Sequence, residues 1–280
     1  MPVVTDLFIY PIKSCGGIRL DSADLWETGL YLDRLWMLVD AAGQMVSQRT
    51  APRLALVSTA LRFESLQVRA PGMLRLDIPV GGFDYASAER VESEVWGSRV
   101  ETFAESELVD TWFSRFLDMP VRLLRIDPDF RRICDPAWTG GHEAITQLAD
   151  GFPLLVVSKA SLSDLNQRMA AADKPALPMD RFRPNLVIDG LDPYGEDHLA
   201  TLTHPDYEIR LVKRCARCVI PCIDQQTAQA GSEPTDTLAG YRFDDRSGGL
   251  TFGMNAIVLR GADEAVVKVG DELRAEIAFD

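Results

Sequence analysis

A mainly β fold with a few helices, of the α+β class, is what this 280-residue sequence predicts. Three observations carry it. Apolar and polar residues alternate with period two over long stretches, turn-forming residues punctuate those stretches, and the strand–helix rhythm of a doubly wound sheet is missing. Barrel-like or sandwich-like sheets are what such a pattern builds, and the length suits one large or two modest domains.

In chain order, "RLWMLVD" (34–40) and "QMVSQR" (44–49) flank the turn "AAG" and read as two strands. "LRFESLQVRA" (61–70) and "MLRLDIPV" (73–80) alternate around Pro71-Gly72 and read as a hairpin. "VESEVWGSRVETF" (91–103) is a further pair turning at Gly97. The period then changes. In "SELVDTWFSRFLDMP" the apolar Leu108, Val109, Trp112, Phe113, Phe116 and Leu117 recur at three- and four-residue spacing, an amphipathic helix with Ser106 as N-cap and Pro120 beyond its end. The aperiodic, Pro-, Asp- and Gly-bearing stretch 125–144 is read as a linker or surface loop. Beyond it come a strand at "FPLLVVS" (152–158), a short helix at "SLSDLNQRM" (161–169) and strands at "RFRPNLVIDG" (181–190) and "YEIRLVKRC" (207–215). "FGMNAIVLRG" (252–261) and "AVVKVGDELRAEI" (265–277) supply two more.

Twenty-nine Lys and Arg against 42 Asp and Glu leave a formal charge of −13, unsuited to nucleic acid or an anionic membrane. An anionic ligand therefore needs a local basic cluster. The N-terminus lacks the charged and apolar regions of a signal peptide, and no apolar run reaches membrane-spanning length. Five cysteines, an odd number in a chain of this length, fit a reducing compartment, so a cytoplasmic location is expected.

Three of those cysteines, Cys215, Cys218 and Cys222, fall within eight residues in "RCARCVIPCID" (214–224). A zinc site or an iron–sulfur cluster lacks its remaining ligands: Cys134 is distant, and His142, His198 and His204 have no knuckle spacing. A thioredoxin-type C-x-x-C should open a helix, which Pro221 and the β-branched neighbours oppose. Burial as small hydrophobes is the plain alternative. Against it for Cys218 stand Arg214 and Arg217, whose charge should favour a thiolate, the soft ligand a transition metal takes.

"IYPIKSCGG", "LDRLWMLVD", "RFRPNLVIDG", "RCARCVIPCID", "EPTDTLAGYR" and "FGMNAIV…VKVGDEL" occur in that order over residues 5–275. Together they resemble MOSC-domain proteins that carry a MOSC N-terminal β-barrel domain, of the YcbX type, similar to the mitochondrial amidoxime-reducing component. The resemblance implies two β-barrel-like domains, here 1–125 and 126–280. It also implies a molybdenum cofactor of the molybdopterin type between them, with Cys218 as the metal's thiolate ligand and catalytic residue. Cofactor contacts fall at Lys13, Ser14, Arg34, Arg183, Asn185, Arg217 and Asn255. Lys and Arg suit a phosphate and a polar pterin inside an acidic chain. For Arg34 an ion pair with Asp33 is the rival role; for Asn185, backbone satisfaction at a strand start.

The implied activity is reduction of small N-hydroxylated compounds. The alternatives are a non-catalytic cofactor or sulfur carrier, and a structural protein with a vestigial pocket or small zinc site. A superfamily association with pyridoxal phosphate binding comes with the resemblance. The chain departs from the family pattern at Ala216, and at Gly151 and Phe152, where hydroxyl contacts are lost. Many relatives continue into a ferredoxin domain; no such cysteines follow "VGD" here. No iron–sulfur cluster is therefore expected, and electrons would come from a separate ferredoxin- or flavoprotein-type partner. The acidic surface suits a basic face on that partner but is too generic to identify it. Asp224, the nearest ionisable group to Cys218 beyond the arginines, reads as a turn residue, and no general acid stands out.

Overall fold

The computed structural model describes residues 1–278. Strands dominate, with four short helices: α1 (Glu107–Leu117), α2 (Pro136–Thr139), α3 (Lys159–Ala171) and α4 (Thr235–Ala239). The largest sheet has nine strands. Its central strand, Leu154–Ser158, is buried along its whole length, as the unbroken apolar run LLVVS requires. It pairs in parallel with Leu186–Asp189, with α3 crossing between the two, and antiparallel with the long strand Gly249–Arg260. Gly249–Arg260 in turn pairs with Glu208–Ala216. A five-stranded sheet runs Arg90–Val95, Ser98–Ala104, Val121–Ile126, Trp36–Asp40, Met45–Val46.

The two ends of the chain interleave. Val3–Ile9 lies in the nine-stranded sheet against Leu186–Asp189, and Val266–Lys268 pairs with Ser22–Trp26. Residues on either side of position 125 thus share sheets. This interleaving brings the Tyr10–Ser14 segment beside the cysteine stretch. No helix among the described residues is long and apolar enough to cross a membrane.

Helix α1 buries Val109, Trp112, Phe113, Phe116 and Leu117, the stripe its spacing predicts, while Leu108 stays exposed. Ser106 occupies the N-cap without a capping hydrogen bond from its side chain. At Trp96-Gly97 both residues take positive φ, 50° and 83°, the geometry of a tight hairpin turn. Three expectations need correction. "LRFESLQVRA" is not one strand: Ser58–Arg62 and Ser65–Arg69 pair across a turn at Phe63-Glu64. In "RFRPNLVIDG" only Leu186–Asp189 is strand; a 3-10 turn, Met179–Arg181, and the left-handed Arg183 precede it. The stretch 125–144 is not featureless; it holds α2 and Arg132–Ile133, which pairs with Ile145–Thr146.

Candidate functional site

The eight expected site residues line one open cleft. Lys13 reaches it from a short segment bridged to Trp36 and is buried. Its ammonium donates to the Leu148 carbonyl at 2.7 Å and to Asp150 at 2.5 Å. Ser14 follows at φ 70°, and its carbonyl accepts from the Gln48 amide at 2.7 Å. Gln48 is fully buried and exchanges two hydrogen bonds with Gln225, at 2.9 and 3.0 Å, tying the Lys13-Ser14 turn to the chain just beyond Cys222.

Arg34 and Arg183 also adopt left-handed backbone, at φ 50° and 55°. With Ser14, that puts three of the eight cleft residues in a region that non-glycine residues enter only when surrounding structure compels it. The Arg34 guanidinium pairs with Asp33 at 2.5 Å and donates to the Asn185 side-chain oxygen at 3.1 Å. The ion pair weighed as the rival role for Arg34 is therefore present. Asn185 does satisfy backbone: its oxygen accepts from Leu155 N–H at 3.1 Å and its amide donates to the Phe8 carbonyl at 3.2 Å. Arg183 differs. It stacks on the Tyr10 ring, 4.2 Å from its centroid, and has no ion-pair partner among the described residues. Arg34 lies over the same ring at 4.5 Å.

The cysteines separate cleanly. Cys15, Cys134 and Cys222 are buried; burial pushes the Cys15 thiol up to about 12 and the Cys134 thiol up to about 11, each only partly offset by a neighbouring arginine. Cys215 and Cys218 line the cleft with Asn255, which projects from the strand Gly249–Arg260. The "IPC" after Cys218 is a 3-10 turn, not the α-helix of a thioredoxin-type site. The arginines are not where sequence adjacency put them. Arg217 donates to Cys215 Sγ at 3.0 Å and to the Phe182 carbonyl at 2.9 Å, and Arg214 turns away to Asp244 at 3.0 Å. Among the described residues Cys218 Sγ accepts only a long bond, 3.5 Å, from Ile220 N–H. Asp224 is a turn residue, accepting from Gln226 and Thr227 and paired with Arg181.

Sequence reasoning missed Tyr10, the Gln48–Gln225 pair, Trp96 and Asp150. Tyr10 sits within the quoted "IYPIKSC", whereas nothing local marks the others. Asp150 binds Lys13 and also accepts from the Trp96 indole at 2.8 Å. Crowding by the cleft walls opposes its ionisation, but the Lys13 charge and these hydrogen bonds override that and hold its carboxyl well below the usual range. The group keeps solvent contact, with 63% of its side chain accessible. The pair's stabilisation is therefore modest, about 1 kcal/mol or less. With a depressed folded-state pKa it is fully present above about pH 4 and lost as acid titrates the carboxylate toward its lowered value. In urea unfolding, Asp150→Asn is expected to be less stable than wild type at pH 7, with the gap closing below about pH 4. A gap that widened in acid would contradict the pairing.

Two family models match the chain, one after the other. The model for the MOSC N-terminal beta barrel domain matches residues 1–120, and that for the MOSC domain matches 144–274. "Molybdenum cofactor sulfurase" of Danio rerio is 31% identical over 98% of the chain, which spans only 34% of that protein's length. "Mitochondrial amidoxime-reducing component 1" of Homo sapiens is 32% identical over 96% of the chain and 81% of the relative. The Mus musculus counterpart is 33% identical over 89% of the chain and 74% of the relative. None of these findings bears on pyridoxal phosphate, and the amino group of Lys13, the lysine in the cleft wall, is already engaged. With both domain models matched in order and the human amidoxime-reducing component 32% identical and covered over 81% of its length, the chain belongs to the MOSC-domain proteins that carry a MOSC N-terminal β-barrel domain.

Proposed function

We propose that this protein is a molybdenum-cofactor-dependent reductase of small N-hydroxylated compounds, supplied with electrons by a separate ferredoxin- or flavoprotein-type partner. The observation that carries the reading is the meeting of Cys218 with Lys13, Arg34, Arg183 and Arg217 in one cleft of a chain whose net charge is −13. The names of its relatives tie the family to molybdenum cofactor and to amidoxime reduction.

The residues present fit a molybdopterin-type group. Among the described residues Arg183 has no ion pair, and Arg217 Nε is buried without a hydrogen-bond partner, so donors remain for an anionic, polar ligand. Lys13, Ser14, Arg34, Arg183, Asn185, Arg217 and Asn255 would hold it, and Cys218 would give its sulfur to the metal. Bound there, the group would supply two-electron redox chemistry at molybdenum. The balanced reaction is R–NH–OH + 2 e⁻ + 2 H⁺ → R–NH₂ + H₂O. The chain's own part is to orient: left-handed backbone at Ser14, Arg34 and Arg183 turns these residues toward a common space. Asp150, held ionised, keeps Lys13 fixed rather than acting as an acid at neutral pH.

One observation favours a second reading, a non-catalytic cofactor or sulfur carrier. Cys215 shares the cleft and accepts from Arg217, an environment that suits a second sulfur-bearing anion. Purified protein from a host competent in cofactor synthesis separates the two. The reductase reading expects stoichiometric molybdenum and loss of an N-hydroxylated base analogue when reduced methyl viologen supplies electrons. Full cofactor without turnover, together with a persulfide in the intact mass spectrum, would establish the carrier instead.

A further inference from the structure

Most of the Lys and Arg side chains of this acidic protein are matched by carboxylates. Three of those without a carboxylate partner among the described residues cluster beside the cleft. Trp138, in α2, lies under two cations: the Lys213 ammonium is 4.5 Å from its ring centroid and the Arg246 guanidinium 4.7 Å. Arg210, on the same strand as Lys213, abuts Gly140 at the end of α2. None of the three is in an ion pair among the described residues, although their neighbour Arg214 pairs with both Asp244 and Asp197. The local carboxylates are largely spoken for. Asp244 is matched by Arg214 and Glu143 by Arg131, which leaves Asp135, whose capping of α2 keeps its charge, and Asp245.

This patch is continuous with the cleft. Lys213 stands opposite Asn255, a cleft residue, in the strand pairing. It precedes Cys215, another cleft residue, by two positions, about 7 Å along the strand. Electrons for the proposed reaction must arrive here, because Cys218 lies in this cleft. The rim they must cross is positive while the remainder of the chain is strongly negative.

We propose, building on the reductase reading, that the Trp138–Lys213–Arg246 patch, with Arg210, is the docking face for an acidic electron-transfer protein. Two single-electron deliveries complete one turnover, so the complex should be transient and salt-sensitive. Repulsion from the rest of the acidic surface would confine an acidic carrier to this face and fix its orientation. A basic carrier would be drawn elsewhere, away from the metal. This reverses the expectation that a basic partner face suits the acidic surface.

The test uses a flavodoxin of net negative charge as probe and reads binding directly by biolayer interferometry. Its Kd for the wild-type protein should rise at least about tenfold between about 25 and 300 mM NaCl. Lys213→Glu/Arg246→Glu should weaken binding at low salt by about tenfold or more and flatten the salt dependence. Lys213→Ala/Arg246→Ala should give an intermediate loss, with both variants melting near wild type. Viologen-driven turnover and molybdenum content should stay within about twofold of wild type, because neither side chain lines the cleft. Undiminished flavodoxin binding by the charge-reversed protein overturns the proposal. So does absence of binding by wild type, or productive docking of a basic cytochrome at this same patch. Should viologen-driven turnover fail in wild type, the reductase reading falls, while the binding data still decide the docking face.

Discussion

Cys218→Ser protein, made in a host competent in cofactor synthesis, is expected to fold as wild type does and yet hold less than about a hundredth of the molybdenum affinity, with turnover lost in step. Removing a partner that merely orients a metal ligand costs about 10- to 100-fold, so removing the ligand itself should exceed that. Serine offers a hard hydroxyl, un-ionised near neutrality, where a soft metal wants thiolate. The fold should be indifferent: Cys218 is half-buried, and its sulfur accepts one 3.5 Å bond from the Ile220 amide. A stability change within about 0.5 kcal/mol is anticipated. Cys215→Ser is the companion. It breaks the 3.0 Å contact with Arg217 but should retain metal. Metal analysis and chemical denaturation of the three proteins check this. Equal molybdenum in wild type and Cys218→Ser, or loss confined to Cys215→Ser, would move the ligand elsewhere.

The cleft was legible where its residues sit in short motifs, and illegible where they meet across the fold. Lys13-Ser14, Arg183-Asn185 and Arg217-Cys218 are neighbours along the chain, so a motif carries them together. Gln48 and Gln225 are 177 positions apart, each in an ordinary polar stretch, and only the interleaving of the two chain ends makes them partners. The same physics misdirected the reading of Cys218. Arg217 lies just past the strand Glu208–Ala216, and its guanidinium reaches back to Cys215, two residues away, rather than to the adjacent thiol. At Phe63-Glu64 the failure has another cause. Leu61 pairs with Leu66 and Arg62 with Ser65, so the alternation runs through the turn without interruption. Nor does any rule of composition forecast left-handed backbone at Ser14, Arg34 and Arg183, since glycine is the residue that normally signals it.

Tyr10→Phe and Tyr10→Leu are expected to behave oppositely, and the difference isolates what the ring does. The Tyr10 side chain is almost wholly buried, and its hydroxyl has no hydrogen-bond partner among the described residues. Deleting that hydroxyl removes an unsatisfied polar group, so Tyr10→Phe should match wild type or gain about 1 kcal/mol. The ring is another matter. It carries Arg34 at 4.5 Å and Arg183 at 4.2 Å, two like charges whose repulsion its π-faces help to offset. Asp33 joins the assembly by accepting the Tyr10 amide at 2.8 Å while pairing with Arg34. Gly17 packs so closely that a methyl group there would lie 2.5 Å from the ring. Leucine leaves a void and no π-face, which should cost about 3–5 kcal/mol in denaturant unfolding. With their platform gone, the guanidinium groups should also separate, so Tyr10→Leu protein, assayed well below its melting temperature, should retain less than about a tenth of the wild-type molybdenum. Equal behaviour of the two variants would show that the aromatic face does not organise the arginines. A loss shared by Tyr10→Phe would instead assign the hydroxyl a part in the site.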